Sequence, residues 1–286
     1  MNTKVLNGIL VGFIVVLALI VSSFGFFSNK SIYEGKTFQA LNGEIVNLNG
    51  KGLYYNDSVS MAAQARAQDI VTLVIGIPFL IFSFILANRK SIKGKLLLTG
   101  IIGYFLYTYA SYSFLAMYNK FFLIYVTLMS VSFFAFVLNI TSGELKGLKS
   151  HFNKKLPRKF NGIFDIFMGV CICLLWLGMI VPTIGKAPSF IEHYTTLPIQ
   201  AMDLGFIVPT AILSGILLIK NKSLGYLLTS VIVIKGVTLL LAVVMMVIFQ
   251  IKSGVDVSIF VMIMFPSFLI ILVINLFLLL RNLGKQ

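Results

Sequence analysis

A lysine in the middle of an apolar run is the residue in this chain with the most chemistry to explain. Lys235 lies roughly 18 Å along a helix that starts near Ser223, at about 1.5 Å of rise per residue. That is close to the middle of a hydrocarbon core of about 30 Å. A charge so deep faces the interior of a helix bundle or a wet cavity, and it has a partner. Two carboxylates compete for it. Asp165 lies roughly 8 Å up its own helix and Asp203 roughly 25 Å up another. Side chains lean toward the start of their helix, which directs Lys235 toward Asp165. The expected pair is therefore Lys235–Asp165, either as the polar centre of a cavity or as an ion pair that fixes packing. Tyr104 and Tyr107 share a face of the third apolar run with Thr108 and Ser111. Buried phenols need hydrogen-bond partners, so these tyrosines either line the cavity with Lys235 or bond neighbouring helices.

A second polar group precedes the second apolar run: Gln64, Arg66, Gln68 and Asp69, spaced by small alanines. With Gln200, Asp203 and His193 it forms a candidate outer polar cluster. Asp69 and Asp203 are read as opening two helices that descend from the outer face. There a carboxylate either caps free N–H groups or lines an outer mouth.

The elements that must position these residues are membrane helices. The chain has 286 residues, 58% apolar and only 11% charged. Eight runs are long enough to span a bilayer, at about 8–27, 68–87, 96–117, 121–140, 161–183, 203–219, 224–249 and 257–280. The first is longer than a signal-peptide core, no A-x-A site follows it, and it is read as an uncleaved span. Pro78, Pro209 and Pro266 fall inside spans and are expected to kink them.

With the N-terminus in the cytoplasm, the even span count puts both termini there. Fifteen basic residues, Lys146 and Lys285 among them, then face the cytoplasm against seven outside, with Lys235 within a span. The +14 net charge is thereby assigned to anionic lipid headgroups and not to nucleic acid. The Lys/Asn/Ile/Phe-rich composition suits an AT-rich bacterium and hence a plasma membrane.

Ser91–Thr99 echoes Ser223–Thr229, and Lys4–Ile9 echoes Arg158–Ile163. The expected fold is thus all-α and integral to the membrane, with eight transmembrane helices in two similarly oriented four-helix halves, 1–150 and 151–286. In that register Asp69 corresponds to Asp203, Phe105 to Lys235 and Val11 to Asp165. A long outer loop, 28–67, carries Asn42-Gly43 and Asn49-Gly50. It is expected to form a three-stranded meander from Phe38–Leu41, Glu44–Leu48 and Gly52–Tyr55.

No phosphate-binding G-x-x-x-x-G-K-[ST], HExxH or G-x-S-x-G pattern occurs, so no cofactor or reaction is specified. His151 and His193 fall on opposite sides of the bilayer, which excludes a His-based metal site. Cys171 and Cys173, two apart on a helix, are neither a disulfide nor a redox pair. A retinal Schiff base on Lys235 is disfavoured by eight spans and the lack of an acidic counter-ion on the third. The implied function is binding or movement of a small solute, ion or lipid at the seam between the halves. The alternatives are a membrane enzyme or enzyme subunit acting on a lipid or quinone, and a non-catalytic membrane partner.

Overall fold

The computed structural model describes residues 3–145 and 147–284. Lys146 and Lys285 of the basic tally lie outside the described residues. Eight long helices follow the eight apolar runs. They are α1 (Thr3–Phe27), α2 (Val59–Asn88), α3 (Ile92–Leu115), α4 (Phe122–Ile140), α5 (Arg158–Thr183), α6 (Pro198–Ile219), α7 (Ser223–Lys252) and α8 (Ile259–Asn282).

Among the described residues, seven of these, all but α3, are long and apolar enough to cross a membrane. The fold is that of a multi-pass membrane protein by helix length and composition. Helix α3 is as long, at 24 residues, but it is the hydroxyl-rich helix, and its buried residues run from Ile92 to Tyr112. It packs against α2, α4 and α7, so its polar side chains meet protein and not lipid. Gly100 of α3 permits the closest approach to α7, because a Cβ there would come within 2.5 Å of Ile234.

The helix starts have local causes. Ser58, Ser91 and Ser258 each accept a hydrogen bond from a backbone N–H three residues on, satisfying one of the free donors of α2, α3 and α8. Helix α2 therefore begins nine residues before the expected span at 68, and α6 begins at Pro198 and not at Asp203. Neither Asp69 nor Asp203 is a helix-opening cap. The prolines also act otherwise than as simple kinks. Helix α2 widens to a π-helix over Thr72–Gly76 just before Pro78, and α6 does the same over Asp203–Ile207 before Pro209. A proline has no N–H to give and crowds the carbonyl four residues back, and a wider turn relieves both problems. Pro266 lies within α8 without such a turn.

These π turns form part of a set of local features that recurs 131 residues on. Lys90 and Asn221 both adopt left-handed backbone, at φ 60° and 57°, in the turns after α2 and α6. Gly94 and Gly225 each press on the backbone of the preceding helix, at Leu86–Ala87 and Leu217–Leu218. In this register Asp203 stands where Thr72 does and Lys235 where Tyr104 does. The expected equivalences of Asp69 with Asp203 and Phe105 with Lys235 are thus shifted by the structure.

The loop after α1 forms a two-stranded hairpin, β1 (Thr37–Gln39) with β2 (Ile45–Asn47), in which Phe38 faces Val46. Its turn contains Asn42 and Gly43, the latter at φ 86°. The expected third strand at 52–55 is absent. Gly50 and Gly52, both left-handed, fold the chain back against the carbonyls of Tyr33 and Ser28. Only isolated bridges remain, Ser31 with Lys51 and Leu48 with Ser58.

One difference between the first four helices and the last four matters for the site. Helices α1 and α4 pack together, and Asn139 Nδ2 donates to Asn7 Oδ1 across 2.7 Å. Helices α5 and α8 hardly touch, apart from the rings of Phe167 and Phe268. Asn161 of α5 and Asn275 of α8 are both fully buried, yet neither amide has a hydrogen-bond partner. The buried residues of α5 lie between Asn161 and Gly169, and those of α8 between Leu272 and Leu279. Toward the end carrying the chain termini α5 is buried against α6 and α8 against α7, and toward the hairpin-loop end both are more exposed.

Candidate functional site

Between these two helices lies a cavity of about 410 Å³, flanked by α5 and α8 and backed by α2, α3, α6 and α7. That lies within the range of small-molecule sites, roughly 300–1,000 Å³. Its wall is almost wholly apolar, and its ionisable side chains include Asp57, Asp165, Asp203 and Lys235.

Lys235 is buried at 8% exposure. Its stem passes Gly103 of α3, its Cγ 3.9 Å from where a Cβ would stand. The ammonium then sits 3.9 Å from the centre of the Tyr107 ring, a cation–π contact. The Tyr107 hydroxyl donates to Asp203 Oδ1 at 2.8 Å, and the indole N–H of Trp176 donates to Asp203 Oδ2 at 2.9 Å. Asp203 is the carboxylate whose charge acts on Lys235, although no ion pair forms between them. Asp165 is held elsewhere: Ser214 and Thr229 both donate to its Oδ2, at 3.1 and 2.7 Å. The expected Lys235–Asp165 pair is therefore not made, and Lys235 leans toward Tyr107 and Asp203.

The outer polar cluster divides into five places. Gln64, Gln68 and Asp203 line the cavity. Gln68 donates from Nε2 to the hydroxyls of Tyr104 and Thr108, at 2.7 and 3.1 Å, so Tyr104 stands behind the wall and not on it. Asp69 is enclosed among tyrosines at 1% exposure. Tyr54 donates to its Oδ2 at 2.6 Å and Tyr112 to its Oδ1 at 3.2 Å. It lines no outer mouth. Arg66 turns toward α1, where it reaches the Phe26 carbonyl at 3.4 Å. Gln200 is half-buried on α6 away from the cavity lining.

His193 lies in the loop after α5, its Nε2 3.0 Å from the carbonyl oxygen of Asn56. That loop fastens onto the start of α2. Tyr194 donates to Asp57 Oδ1 at 2.8 Å, the Met117 N–H donates to the same oxygen at 3.0 Å, and Ser58 donates to Glu192. Glu192 adopts φ 52° to make this contact, a backbone region that side chains other than glycine rarely occupy. Burial pushes the Asp57 carboxyl up to about 6, against the pull of the Met117 and Tyr194 donors, and Glu192 adds to the rise. Burial and then Asp57 raise the Tyr194 phenol.

Trp176, Ser214 and Thr229 complete the site without having been singled out in the sequence. Trp176 carried a usable signal as the single tryptophan of the chain, placed within an apolar run. Ser214 and Thr229 are ordinary membrane-helix residues until their helices are packed. Among the described residues no three His, Cys, Asp or Glu side chains converge as a metal site would require. No family model matches the chain, and neither a curated protein nor a solved structure is similar to it.

The arrangement suits binding better than bond breaking. Both intramembrane carboxylates on the wall are engaged by neutral donors. The ammonium has a ring face beneath it and no hydrogen-bond acceptor among the described residues.

Proposed function

We propose that this chain binds a small amphipathic molecule in the cavity, drawn from the bilayer through the gap between α5 and α8, and moves it along the seam between two four-helix halves. The observation that carries this reading is an apolar chamber between α5 and α8, which hardly touch, with a polar wall at Lys235, Tyr107 and Asp203. The first four helices argue that this separation is specific, since α1 and α4 pack together, with the rings of Phe24 and Phe121 5.2 Å apart at the hairpin-loop end. A cavity that opens sideways between helices suits a ligand that partitions into lipid.

The topology belongs to the same proposal. Helix α3 makes the eighth crossing, shielded from lipid by its neighbours. The halves arose by duplication of a four-helix unit, supported by the features repeated at Thr72–Gly94 and Asp203–Gly225. Both termini face the cytoplasm of a bacterial cell, where the basic residues meet anionic headgroups. The hairpin-loop end faces outward.

The reading is tested with the tryptophan on the cavity wall. A bromine-labelled long-chain alcohol, titrated into the protein in a neutral maltoside detergent, should quench Trp176 fluorescence saturably, and the unlabelled alcohol should reverse the effect. Quenching that rises linearly without saturation, or that the unlabelled alcohol leaves unchanged, overturns it.

A further inference from the structure

Among the charged side chains of the cavity, hydrogen-bond accounting leaves two atoms open, the ammonium of Lys235 and the Oδ1 oxygen of Asp165. An ammonium carries three donors and no acceptor. Asp203 receives Tyr107 and Trp176, one on each oxygen, and Asp165 receives Ser214 and Thr229. Lys235 has only the Tyr107 ring and the distant field of Asp203. A buried donor without an acceptor is costly, and a buried charge more so. The group that would complete the wall at Lys235 is an acceptor, and a negatively charged one would also offset the charge of the ammonium.

The shape of the chamber says what that acceptor is attached to. The lining follows α7 from Ile232 to Gln250, roughly 27 Å at 1.5 Å per residue. Beyond Lys235 it is built of Leu239, Leu240, Val243 and Met246. An elongated apolar wall with one cation near its end suits an alkyl chain with a charged head, and not a compact polar solute.

Resting on the cavity reading above, we propose that the ligand is a long-chain amphiphile with an anionic head, a carboxylate or a phosphate monoester, and that Lys235 binds that head. Asp203 stands near enough to share the field of the ammonium but is held off it by its own two donors. The head can therefore be accepted and released without breaking an ion pair in the protein.

The test uses four bromine-labelled probes of equal chain length, with carboxylate, phosphate, alcohol and trimethylammonium heads, and Trp176 as the reporter. The carboxylate or the phosphate is expected to half-saturate at a concentration at least tenfold below the alcohol. Lys235→Met is expected to remove that advantage, and continued saturable quenching by the alcohol shows that the variant is folded. The stronger of the two anions identifies the head as fatty-acid-like or as a lipid phosphate, and either supports the assignment. Alcohol or trimethylammonium binding as tightly as both anions overturns it, as does an anion advantage that survives Lys235→Met; in both cases the cavity reading stands. Failure of every probe to quench saturably overturns the cavity reading itself.

Discussion

The hydroxyl of Tyr107 donates to Asp203 across 2.8 Å while the ring of the same residue lies under Lys235. One side chain of α3 thus holds an acid of α6 and a base of α7 apart and in place. The two functions separate by substitution. Tyr107→Phe keeps the ring and loses the donor, leaving Asp203 with Trp176 alone. A hydrogen bond to a charged group is worth about 1.5–3 kcal/mol, and a loss of that order is expected in the unfolding free energy in detergent. Tyr107→Leu removes the ring as well and should cost about 1–2 kcal/mol more. Equal losses in the two variants would show that the ring contact contributes nothing.

Asn7 and Asn139 satisfy each other, whereas Asn161 and Asn275 are buried without partners. Replacing either half-buried member of the first pair with alanine removes their mutual bonds, though Asn139 keeps its bond to the Ala135 carbonyl, and should destabilise the protein by about 0.5–1.5 kcal/mol. Asn161→Leu or Asn275→Leu removes a group that already lacks a partner, so the thermal midpoint is expected to hold or rise. A fall in midpoint for Asn275→Leu matching that for Asn139→Ala would show that the second pair is bonded in solution.

Much of the helix architecture was legible because a bilayer imposes a strong length and apolarity rule, and the eight apolar runs each became a helix. The deep position of Lys235 was legible for the same reason, since rise per residue measures depth. Its partner was not. Depth says nothing of which way a helix faces, and the lean of a side chain toward its helix start yields to local space. The lysine lies over the Tyr107 ring, while Asp165 is held by Ser214 and Thr229. The start of α2 was misplaced because Gln64, Arg66, Gln68 and Asp69 make that turn read as aqueous. In the fold Gln68 bonds Tyr104 and Thr108, and Asp69 bonds Tyr54 and Tyr112, hydroxyls that local sequence does not bring to mind. The recurring backbone features set Asp203 beside Thr72, a register that pairing the two acids Asp69 and Asp203 does not suggest.

Gly25 of α1 lies against the tyrosine-enclosed carboxylate. A Cβ at this position would run into Asp69 Oδ2 and lie 2.6 Å from the Tyr54 hydroxyl. Gly25→Ala should break that bonded set and lower stability by about 1–3 kcal/mol, the range for overpacking. Gly12, on the same helix, has nothing within 4 Å of a Cβ. Gly12→Ala should therefore raise stability by up to about 1 kcal/mol from helix propensity alone. Thermal unfolding of the two variants side by side checks the contrast.

An eighth crossing at α3 puts both ends of the chain on one face. In a background with Cys171 and Cys173 replaced by serine, Thr3→Cys and Gly284→Cys should be protected from an impermeant thiol reagent in intact cells. Glu44→Cys in the hairpin turn should label. Labelling of one terminal position without the other would mean an odd number of crossings.

Asp57 offers a pH test outside the helices. Its carboxyl is 3% exposed and is pushed up to about 6 from 3.8. The fold therefore favours the protonated acid. The contribution of this group to stability is full below pH 3.8, is lost as pH rises to about 6, and stays lost above that. The difference amounts to roughly 2–3 kcal/mol. Tyr194 and the Met117 N–H both donate to the same oxygen, Oδ1, so an asparagine carbonyl can accept both bonds without carrying charge. Asp57→Asn is expected to match the wild type near pH 3.5 and to exceed it by roughly that amount at pH 7.5, again by the linkage between proton binding and folding. Chemical unfolding of both proteins across this range in one detergent checks the prediction. Because the other buried carboxylates titrate in both proteins, the difference between the two curves isolates Asp57. A difference that does not change with pH would show that the loop holds Asp57 ionised, with the Tyr194 and Met117 donors outweighing its burial.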